Sequence, residues 1–378
     1  MVAACPFPWP RGTPIRIHRM AEALGRRGHD VHVVTYHLAD HTATPSMTVH
    51  RIAGPRWYSR TAPGPTLTKL ALLDPLLTRR LRGLLRAMSF DVIHAHHYEG
   101  LLAALFARAR RVPPIVFDSH TLLESELPHY GRGFESALRA RVGRMLDRCL
   151  PKRAQHVVAV SDDMRTNYEA AGLPSAGITV ISNGVEVEHF RANRQNPGDG
   201  RLLAFAGNLA RYQRIDLLLA AFAEVRRRDE RIRLRLLTSD DFGPFSALCE
   251  RLGIDRGLEV RRVDYETLPG ELAGATVLAN PRIDCSGMPQ KLLNYMASGT
   301  PVVSFAGSAK LLEHEHSGLV VPNGDVKGFA AAVLRLMLDA DLRRRLGSRA
   351  QDLVACEYGW DRVAQRVERV YARVTEAA

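Results

Sequence analysis

The sequence predicts an α/β protein built from two doubly wound, Rossmann-like domains. Short β-branched and apolar runs alternate with amphipathic helical patterns along most of the chain, which is typical of parallel sheets with crossover helices. At 378 residues the chain is longer than one hydrophobic core usually supports, so two domains are expected. We expect them to face a central cleft, because doubly wound sheets bind ligands at the carboxyl ends of their strands.

Two series of apolar runs supply the predicted strands. The first series lies at residues 31–36, 92–95, 115–118, 157–160 and 179–181. The second lies at residues 202–206, 234–237, 258–263, 277–279, 302–305 and 319–321. The helical patterns between them include residues 14–27, 215–228 and 290–297. Residues 1–4 leave room for a short first strand, unless the natural start lies upstream.

The domain boundary is predicted within SNGVEVEHFRANRQNPGDG, residues 182–200, which loses periodicity and gathers Asn, Gly and Pro. We place an N-terminal domain at residues 1–185, a C-terminal domain at 186–355 and a final helical segment at 356–378. Residues 56–88 contain an amphipathic, arginine-rich helix. We favour a helix whose arginine face is solvated and overlies a leucine stripe. Contact of this helix with an acceptor or a membrane is the alternative.

Charge and cysteine usage exclude several classes of protein. The formal net charge is +12, but the arginines are scattered and not interleaved with aromatics, so no nucleic-acid partner is expected. The five cysteines form no C-x-x-C pair, which argues against a zinc site and a disulfide framework. Without a basic and apolar leader or a long apolar run, we expect a cytoplasmic protein, with peripheral contact at the inner membrane face left open.

The segment PFPWPRGTPIR places small residues between a strand and a helix, where free backbone amides can bind phosphate. Gly12 allows a tight turn, Thr13 offers a hydroxyl at the expected cap, and Pro14 suits the first helical position. Taken alone, this turn resembles an ordinary strand-to-helix connection.

The segment CSGMPQKLLNYMASGTPVV repeats the arrangement in the second half of the chain. Gly287 permits close backbone approach, Pro289 begins the helix, and Lys291 adds a cation in its first turn. A lysine there opposes the helix dipole, so a bound anion would explain it; a solvated lysine is an equal alternative. Two such turns facing one cleft would suit a diphosphate.

Two other polar groups have alternative interpretations. His94, His96, His97 and Glu99 follow a predicted strand, and they either line an acceptor pocket or are structural. The sequence SDD occurs at 161–163 and at 239–241. Ser161 is expected to cap a helix, and we assign no metal to either carboxylate pair.

Several segments, taken together and in this order, resemble the retaining glycosyltransferases of the GT-B fold, specifically glycosyltransferase family 4. The segments are PFPWPRGTPIR, AEALGRRGHDVHVVTY, FDSHTLL, ISNGVEVEHF, FAGNLARYQRIDLLLAAF and GMPQKLLNYMASGTPVV. The resemblance covers nearly the whole chain.

The resemblance implies transfer of a hexosyl or N-acetylhexosaminyl group from a nucleoside diphosphate sugar to an acceptor hydroxyl. It also implies retention of configuration, with no metal and no cofactor beyond the donor substrate. The N-terminal domain would bind the acceptor, which is a lipid, a glycan or a small natural product. The C-terminal domain would bind the donor, and the final helix would cross back onto the N-terminal domain.

Family roles carry over to matching positions of this sequence. Gly12 and Thr13 would face the donor phosphates, and His120 would hydrogen-bond a hydroxyl of the donor sugar. A turn of three residues would present its backbone amides to the donor sugar and diphosphate: Gly287, Met288 and Pro289. His96, His97 and Glu99 are the weaker candidates for the acceptor.

Two glutamates that the family usually carries, eight residues apart, are replaced here by Ser286 and Asn294. Asn294 can still hydrogen-bond a ribose. Ser286 is a poorer substitute for a carboxylate on the donor sugar, and Asp284 is the nearest acid.

The basic pair that usually clamps the diphosphate is replaced by Asn208 and Gln213. A diphosphate without cationic partners in a closed cleft would be costly. The charge would therefore come from Lys291 first, Arg211 second, or Arg214.

Other functions remain as alternatives. One is a sugar-nucleotide epimerase or a coupling enzyme of the same fold. Another is a non-catalytic subunit that binds a sugar nucleotide and activates a partner, which the replaced carboxylates make plausible.

Overall fold

The computed structural model describes residues 1–9, 12–39, 44–61, 64, 66–107, 113–130, 134–192, 200–285 and 287–377. The chain forms two compact units, Met1–Asn183 with Trp360–Ala378, and Gly184–Gly359. The expected boundaries after residues 185 and 355 lie close to these observed ones. Among the described residues, no helix has the length and apolarity needed to cross a bilayer.

The first unit contains a seven-stranded parallel sheet within the described residues, in the order β3-β2-β1-β4-β5-β6-β7. Buried apolar residues cover both faces of this sheet. The strands are β1 Val2–Ala3, β2 His32–Thr35, β3 Thr48–Arg51, β4 Ile93–His96, β5 Ile115–Ser119, β6 His156–Ala159 and β7 Ile178–Val180.

The helices of the first unit supply the residues that cover the sheet. A π-helical turn at Lys69–Leu73 precedes α2. The helices are α1 Gly12–Arg26, α2 Asp74–Ala87, α3 His97–Phe106, α4 Leu123–Glu126, α5 Phe134–Cys149, α6 Asp162–Ala170 and, from the end of the chain, α15 Trp360–Glu376. Helix α15 buries Val363, Val367 and Val370 in the cluster that also holds Ile17 and Met20 of α1. The last helix therefore completes the core of the first unit.

The second unit contains a six-stranded parallel sheet within the described residues, in the order β10-β9-β8-β11-β12-β13. The strands are β8 Leu202–Ala206, β9 Arg233–Leu237, β10 Leu258–Arg261, β11 Val277–Asn280, β12 Val302–Phe305 and β13 Leu319–Val321. The helices are α7 Val187–Ala192, α8 Ile215–Arg228, α9 Ser246–Leu252, α10 Leu268–Ala273, α11 Gln290–Ser298, α12 Ala306–Ala309, α13 Val326–Leu338 and α14 Ala340–Glu357.

Both sheets share one topology, so the prediction of two doubly wound, Rossmann-like units is confirmed. In each sheet the strand order reverses between the first and fourth strands of the unit, β1 and β4 in one and β8 and β11 in the other. Doubly wound sheets bind ligands beyond the carboxyl ends of the strands at this switch point. The topology therefore places one candidate site in each unit.

The structure corrects several local expectations. Strand β3 has no counterpart among the predicted strands, because its sequence TVHR is partly exposed and not an apolar run. Helix α1 begins at Gly12, so Thr13 lies in its first turn and is not its cap, and Pro14 is its third residue. Ser161 caps α6 as predicted, since its side chain accepts a hydrogen bond from the Met164 amide.

Substitution of Gly347 tests how closely α14 packs on the turn that ends α11. A Cβ at Gly347 would lie 1.9 Å from the carbonyl oxygen of Gly299, a clash with backbone that no rotamer change relieves. We expect Gly347→Ala to lower the free energy of unfolding in urea by about 1–3 kcal/mol. Gly83→Ala is the control, since a Cβ there meets no described heavy atom within 4 Å and alanine should stabilise α2 by about 0.5–1 kcal/mol. An unchanged urea midpoint for Gly347→Ala would contradict the packing.

Candidate functional site

Two predicted site segments follow the strands at the switch point of the first sheet. Gly12 begins α1 with φ +49°. His96 ends β4, and His97 begins α3 with φ +62°. A left-handed backbone at a residue other than glycine costs about 1–3 kcal/mol and is concentrated at functional sites. The strained turn at His97 therefore marks this edge of the sheet as a candidate site.

A cavity of about 300 Å³ lies at this switch point. His96 lines it and is 1% exposed, and its Nε2 has no hydrogen-bond partner among the described residues. Leaving a buried nitrogen unsatisfied costs about 1–3 kcal/mol, so a ligand hydroxyl at this nitrogen would be favourable. The cavity brings together five of the predicted residues, Gly12, Thr13, His96, His97 and Glu99, with four polar residues that sequence reasoning missed, Thr61, Lys69, Thr121 and Glu126.

Asp118 of β5 lies beneath this site and is fully buried. Arg16 donates to both of its carboxylate oxygens, with nitrogen to oxygen distances of 3.1–3.2 Å. His94 Nε2 and His96 Nδ1 lie 3.3 and 3.5 Å from Oδ2, and His120 Nε2 lies 3.7 Å from Oδ1. One carboxylate is therefore surrounded by a guanidinium and three imidazoles.

The imidazoles form a continuous cluster. His96 Nδ1 lies 3.3 Å from His120 Nε2, and the ring of His97 stacks on His120 with centroids 5.1 Å apart. On the other side, His94 stacks on His96 at 4.4 Å, and its Nδ1 lies 2.6 Å from the hydroxyl of Tyr371 in α15. The predicted sugar-binding residue His120 is thus in contact with both predicted acceptor histidines.

The charges of this cluster follow from burial and from Arg16. Burial lowers the pKa of His94, and it lowers the pKa values of His96 and His120 well below the ordinary range. Burial alone would raise the pKa of Asp118, but Arg16 and the histidines hold it well below its usual value. At neutral pH the cluster therefore holds an ionised carboxylate, a guanidinium and neutral imidazoles at His94, His96 and His120.

His94, His96 and Asp118 each present one potential ligand atom, and the three atoms lie within 4.8 Å of one another. Both oxygens of Asp118 already accept hydrogen bonds from Arg16. The guanidinium therefore compensates the charge that would attract a cation. That transfer needs no metal or cofactor stays a prediction.

Sequence reasoning missed Arg16, although its position carries a signal. Arg16 is 2% exposed and lies four and eight residues before Met20 and Leu24, which are also buried in α1. An arginine on the apolar face of a helix requires a buried partner. The FDSHT segment supplies it as Asp118, two residues before His120.

Lys291 lies at the corresponding switch point of the second sheet, as the second residue of α11. Its Nζ donates to Gln213 Oε1 at 2.5 Å and lies 4.6 Å from the centroid of the Phe205 ring. Burial, and then the charge of Arg282, lower its pKa to about 7. Lys291 is therefore a packed, hydrogen-bonded lysine whose charged form would be favoured by an anion, rather than a solvated one.

Asn208 and Gln213, which replace the expected basic pair, form a hydrogen-bonded set with Lys291. Gln213 is buried, and its Nε2 lies 3.4 Å from Asn208 Oδ1 while its Oε1 accepts from Lys291. Asn208 Nδ2 donates to the hydroxyl of Tyr212 at 2.8 Å. The structure thus brings a cation to the end of the Gln213 side chain.

The two arginines named as further candidates for the diphosphate differ in their contacts. Arg211 is exposed and lines a separate cavity of about 650 Å³ in the second unit. Arg214 pairs with Asp216, with nitrogen to oxygen distances of 2.8–3.3 Å. Of these two arginines, Arg211 makes no ion pair with any described residue, so a ligand can reach it more easily than Arg214.

The turn before α11 is open to a ligand at Gly287. A Cβ there would meet no described heavy atom within 4 Å, so packing within this region does not require a glycine. Met288 packs against the core of the unit, and Pro289 is the N-cap, not the first helical residue. Ser286 lies outside the described residues.

Asn294, which replaces a glutamate, is 9% exposed. Its Oδ1 lies 3.4 Å from Nε2 of Gln290, one turn earlier in α11, and that nitrogen also donates to the Gly184 carbonyl at 2.9 Å. Asp284, the nearest acid to this turn, is exposed. The structure leaves the predicted role of Asn294 at a ribose as a prediction.

Comparison with known proteins identifies the chain. The family model described as Glycosyltransferase Family 4 matches residues 10–189, and the model described as Glycosyl transferases group 1 matches residues 200–339. A sucrose-phosphate synthase from Thermosynechococcus elongatus has the same fold, with a TM-score of 0.79, 20% identity and coverage of 100% of this chain and 99% of that one.

Two curated relatives are named as glycosyltransferases. D-inositol 3-phosphate glycosyltransferase 1 of Catenulispora acidiphila is 30% identical over 329 residues, 78% of this chain and 75% of the relative. Phosphatidyl-myo-inositol mannosyltransferase of Mycolicibacterium smegmatis is 26% identical over 388 residues, 100% of this chain and 94% of the relative. The family models, the relatives and the fold together show a glycosyltransferase of the GT-B fold. The chain belongs to glycosyltransferase family 4, which confirms the resemblance.

The buried histidines predict acid-sensitive stability of the first unit. The folded state holds His94, His96 and His120 neutral, while the unfolded chain takes up protons below the ordinary histidine pKa of 6.5. Because the unfolded state then binds more protons, the free energy of unfolding should fall as pH falls below 6.5, by about 1.4 kcal/mol per pH unit for each proton. Calorimetric melting between pH 8 and 5 measures the slope.

His316→Asn is the control for this titration, because His316 is exposed in the second unit. It should leave the pH slope unchanged, whereas His120→Asn should reduce it. A melting profile that is flat from pH 8 to pH 5 would show that these imidazoles are not held neutral.

Proposed function

We propose that the protein transfers a hexosyl or N-acetylhexosaminyl group from a nucleoside diphosphate sugar to an acceptor hydroxyl, with retention of anomeric configuration. The observation that carries this proposal is Lys291, a lysine with a pKa lowered to about 7 that lies in the first turn of α11. Within the part of the chain that the structure describes, Lys291 makes no ion pair, and a lysine without a counter-anion at a helix N-terminus, at a switch point, suits a diphosphate.

The turn before α11 supports the same assignment. A Cβ at Gly287 would meet no described heavy atom within 4 Å, so a sugar or phosphate oxygen can approach the backbone amide of this residue. Pro289 has no N–H group, so the remaining donors of the expected set come from the first residues of α11, Gln290 and Lys291. Helix N-termini leave such amides without intrahelical acceptors. These groups would hold the diphosphate while Arg211 approaches from the same unit.

The proposed reaction needs no side-chain base. The bond between the anomeric carbon and the phosphate oxygen breaks, and the diphosphate leaves with its charge stabilised by α11 and Lys291. The acceptor oxygen forms its bond to the same face of the sugar and transfers its proton to the departing phosphate oxygen. His120 would hydrogen-bond a hydroxyl of the donor sugar, and Gly12 and Thr13 would approach the phosphates.

The first-unit cavity is the proposed acceptor site. His96, His97, Glu99 and Glu126 supply hydrogen-bonding groups at its wall, which suits an acceptor rich in hydroxyls. The named acceptors of the two relatives, an inositol phosphate and a phosphatidylinositol, are therefore the first to test.

Peripheral membrane contact belongs to this proposal if the acceptor is a lipid. Helix α5 exposes an apolar stripe, with Leu138 52%, Val142 41% and Met145 56% exposed, and arginines flank it in the sequence. Such a face can lie in the headgroup region of an anionic membrane.

Nucleotide binding should depend on Lys291. Titration of the full chain with UDP, GDP and ADP by calorimetry identifies the base, and Lys291→Ala should weaken the preferred nucleotide roughly 10- to 100-fold, because a charge-assisted hydrogen bond is lost. Lys327→Ala is the matched control, since this lysine is exposed on α13, and it should bind as the native protein does. Equal affinities for Lys291→Ala and the native protein would remove Lys291 from the site.

Nucleotide affinity in the same titration should depend on pH, and the substitution Lys291→Arg should abolish this dependence. With a pKa of about 7 in the free protein, Lys291 must take up a proton when an anion binds above that pH. Affinity should therefore fall as pH rises from 7.5 to 9, by up to about tenfold per unit. In Lys291→Arg the charge is permanent, so the slope should vanish. A slope retained in Lys291→Arg would assign the pH dependence to another group.

The reaction itself is tested with the donor sugar of the preferred base and with inositol phosphate, phosphatidylinositol in anionic vesicles, or free inositol as acceptor. We expect release of the nucleoside diphosphate, a conjugate with the donor's anomeric configuration by NMR, and equal rates with and without EDTA. An inverted product would contradict retention, and loss of activity in EDTA would contradict metal independence. An isomerised donor would indicate the epimerase, and nucleotide binding without turnover would indicate the partner subunit.

A further inference from the structure

We infer that Arg16 is a positioning residue for His120, acting through Asp118, and that it keeps the imidazole beside the donor sugar uncharged. This inference rests on the proposed function for the role of His120. Its structural part, the coupling of Arg16 to the histidine cluster, does not depend on that role.

Every nitrogen of the Arg16 guanidinium is engaged inside the first unit. Nε and Nη2 donate to the oxygens of Asp118 at 3.1–3.2 Å. Nη2 also donates to the Ile181 carbonyl at 2.9 Å, and Nη1 donates to the Ser182 carbonyl at 2.9 Å and to Asn183 Oδ1 at 3.1 Å. The planar donor set of arginine matches this arrangement, which a lysine cannot reproduce.

Stability alone does not explain this ion pair. Its side chains are 2% and 0% exposed, so both charges have lost their hydration. Replacing a buried ion pair with apolar residues of similar volume is often neutral or stabilising. A pair retained at such a desolvation cost, next to a candidate site, is better explained by what it does to the neighbouring groups.

The groups next to the ion pair of Arg16 and Asp118 are imidazoles whose protonation depends on the charge of Asp118. Without Arg16, a buried carboxylate would draw a proton onto an adjacent imidazole, because an unpaired buried charge is costly. Among the described residues, the titratable and charged groups that face Asp118 and His120 are Arg16 of α1, His94 and His96 of β4, and His97 of α3. Two more are in contact with these histidines: Glu99 through His97, and Tyr371 of α15 through His94.

A neutral His120 matters because glycosyl transfer develops positive charge at the anomeric carbon. An imidazolium beside that carbon would repel the developing charge, whereas a neutral imidazole can accept or donate a hydrogen bond to a sugar hydroxyl. Arg16 therefore supplies the cation that Asp118 needs without placing a positive charge on His120 itself. All N–H groups of the guanidinium are occupied by protein acceptors, so its hydrogen bonds reach the cluster only through Asp118, while its charge also helps to lower the pKa of His120.

The test is the titration of His120 in the full chain, followed by the carbon-bound imidazole protons in NMR and assigned with His120→Asn. In the native protein His120 should stay neutral from pH 8 to pH 5.5. In Arg16→Met its titration midpoint should rise by about 1–3 pH units and enter this range. Arg16→Lys, which restores the charge, should return His120 to the neutral form. Arg26→Met is the matched control on α1, since Arg26 makes an exposed pair with Asp361 at 3.2 Å, and it should leave His120 unchanged.

Two results would overturn the inference: a His120 that stays neutral in folded Arg16→Met, or one that titrates equally in Arg26→Met. If Arg16→Met does not fold, Arg16→Met with Asp118→Asn removes both charges. This double variant should fold with His120 neutral, and its failure to recover folding would assign Arg16 a purely structural role.

With an established donor, Arg16→Met should lower kcat about tenfold with less change in the KM for the donor. Absence of transfer by the native protein would reject the proposed function while leaving the NMR result to decide the coupling.

Discussion

The site of the first unit depends on how the charge of one buried carboxylate is compensated. Asp118 is fully buried in the central part of the sheet, where an unpaired charge would be prohibitive. The compensation comes from α1 through Arg16, and the same guanidinium donates to the backbone carbonyls of Ile181 and Ser182. One ion pair therefore fixes the helix that follows the first turn, the strand that ends near His120, and the end of the last strand of the unit.

The two units share a topology but treat their buried cations differently. In the first unit, all donors of Arg16 are matched by protein acceptors. In the second unit, Lys291 is bound to the amide oxygen of Gln213, and its pKa is lowered to about 7. A saturated cation organises its surroundings, whereas a cation beside a neutral acceptor keeps its electrostatic attraction for a ligand. This difference supports the proposal that the main cation for the diphosphate comes from the second unit and that the first unit recognises hydroxyl groups.

The sequence alone was sufficient to predict those elements whose structure depends on a local pattern of residues. Strands β8, β12 and β13 and helix α8 have the predicted bounds, because buried parallel strands are continuous apolar runs and the helix has a regular apolar period. It was insufficient where a partner decides the outcome. The edge strand β3 is ordered by pairing with β2, not by its own apolarity. Arg16 meets Asp118 across 102 positions of sequence, and Lys291 meets Gln213 across 78, so neither contact is visible in a local pattern.

The hydrogen bond between Lys291 and Gln213 bears on whether this chain has lost the charge of its donor site or moved it. The family resemblance places a basic residue at position 213, where this chain has an amide. The structure brings the ammonium group of Lys291 to the end of that amide side chain, from α11 instead of from the loop after β8. Under the proposed function, a displaced cation would offer a diphosphate the same charge from a neighbouring element. The presence of Gln213 in place of a basic residue is therefore weak evidence for a non-catalytic subunit. The replacement of the two glutamates by Ser286 and Asn294 is the remaining evidence for that alternative.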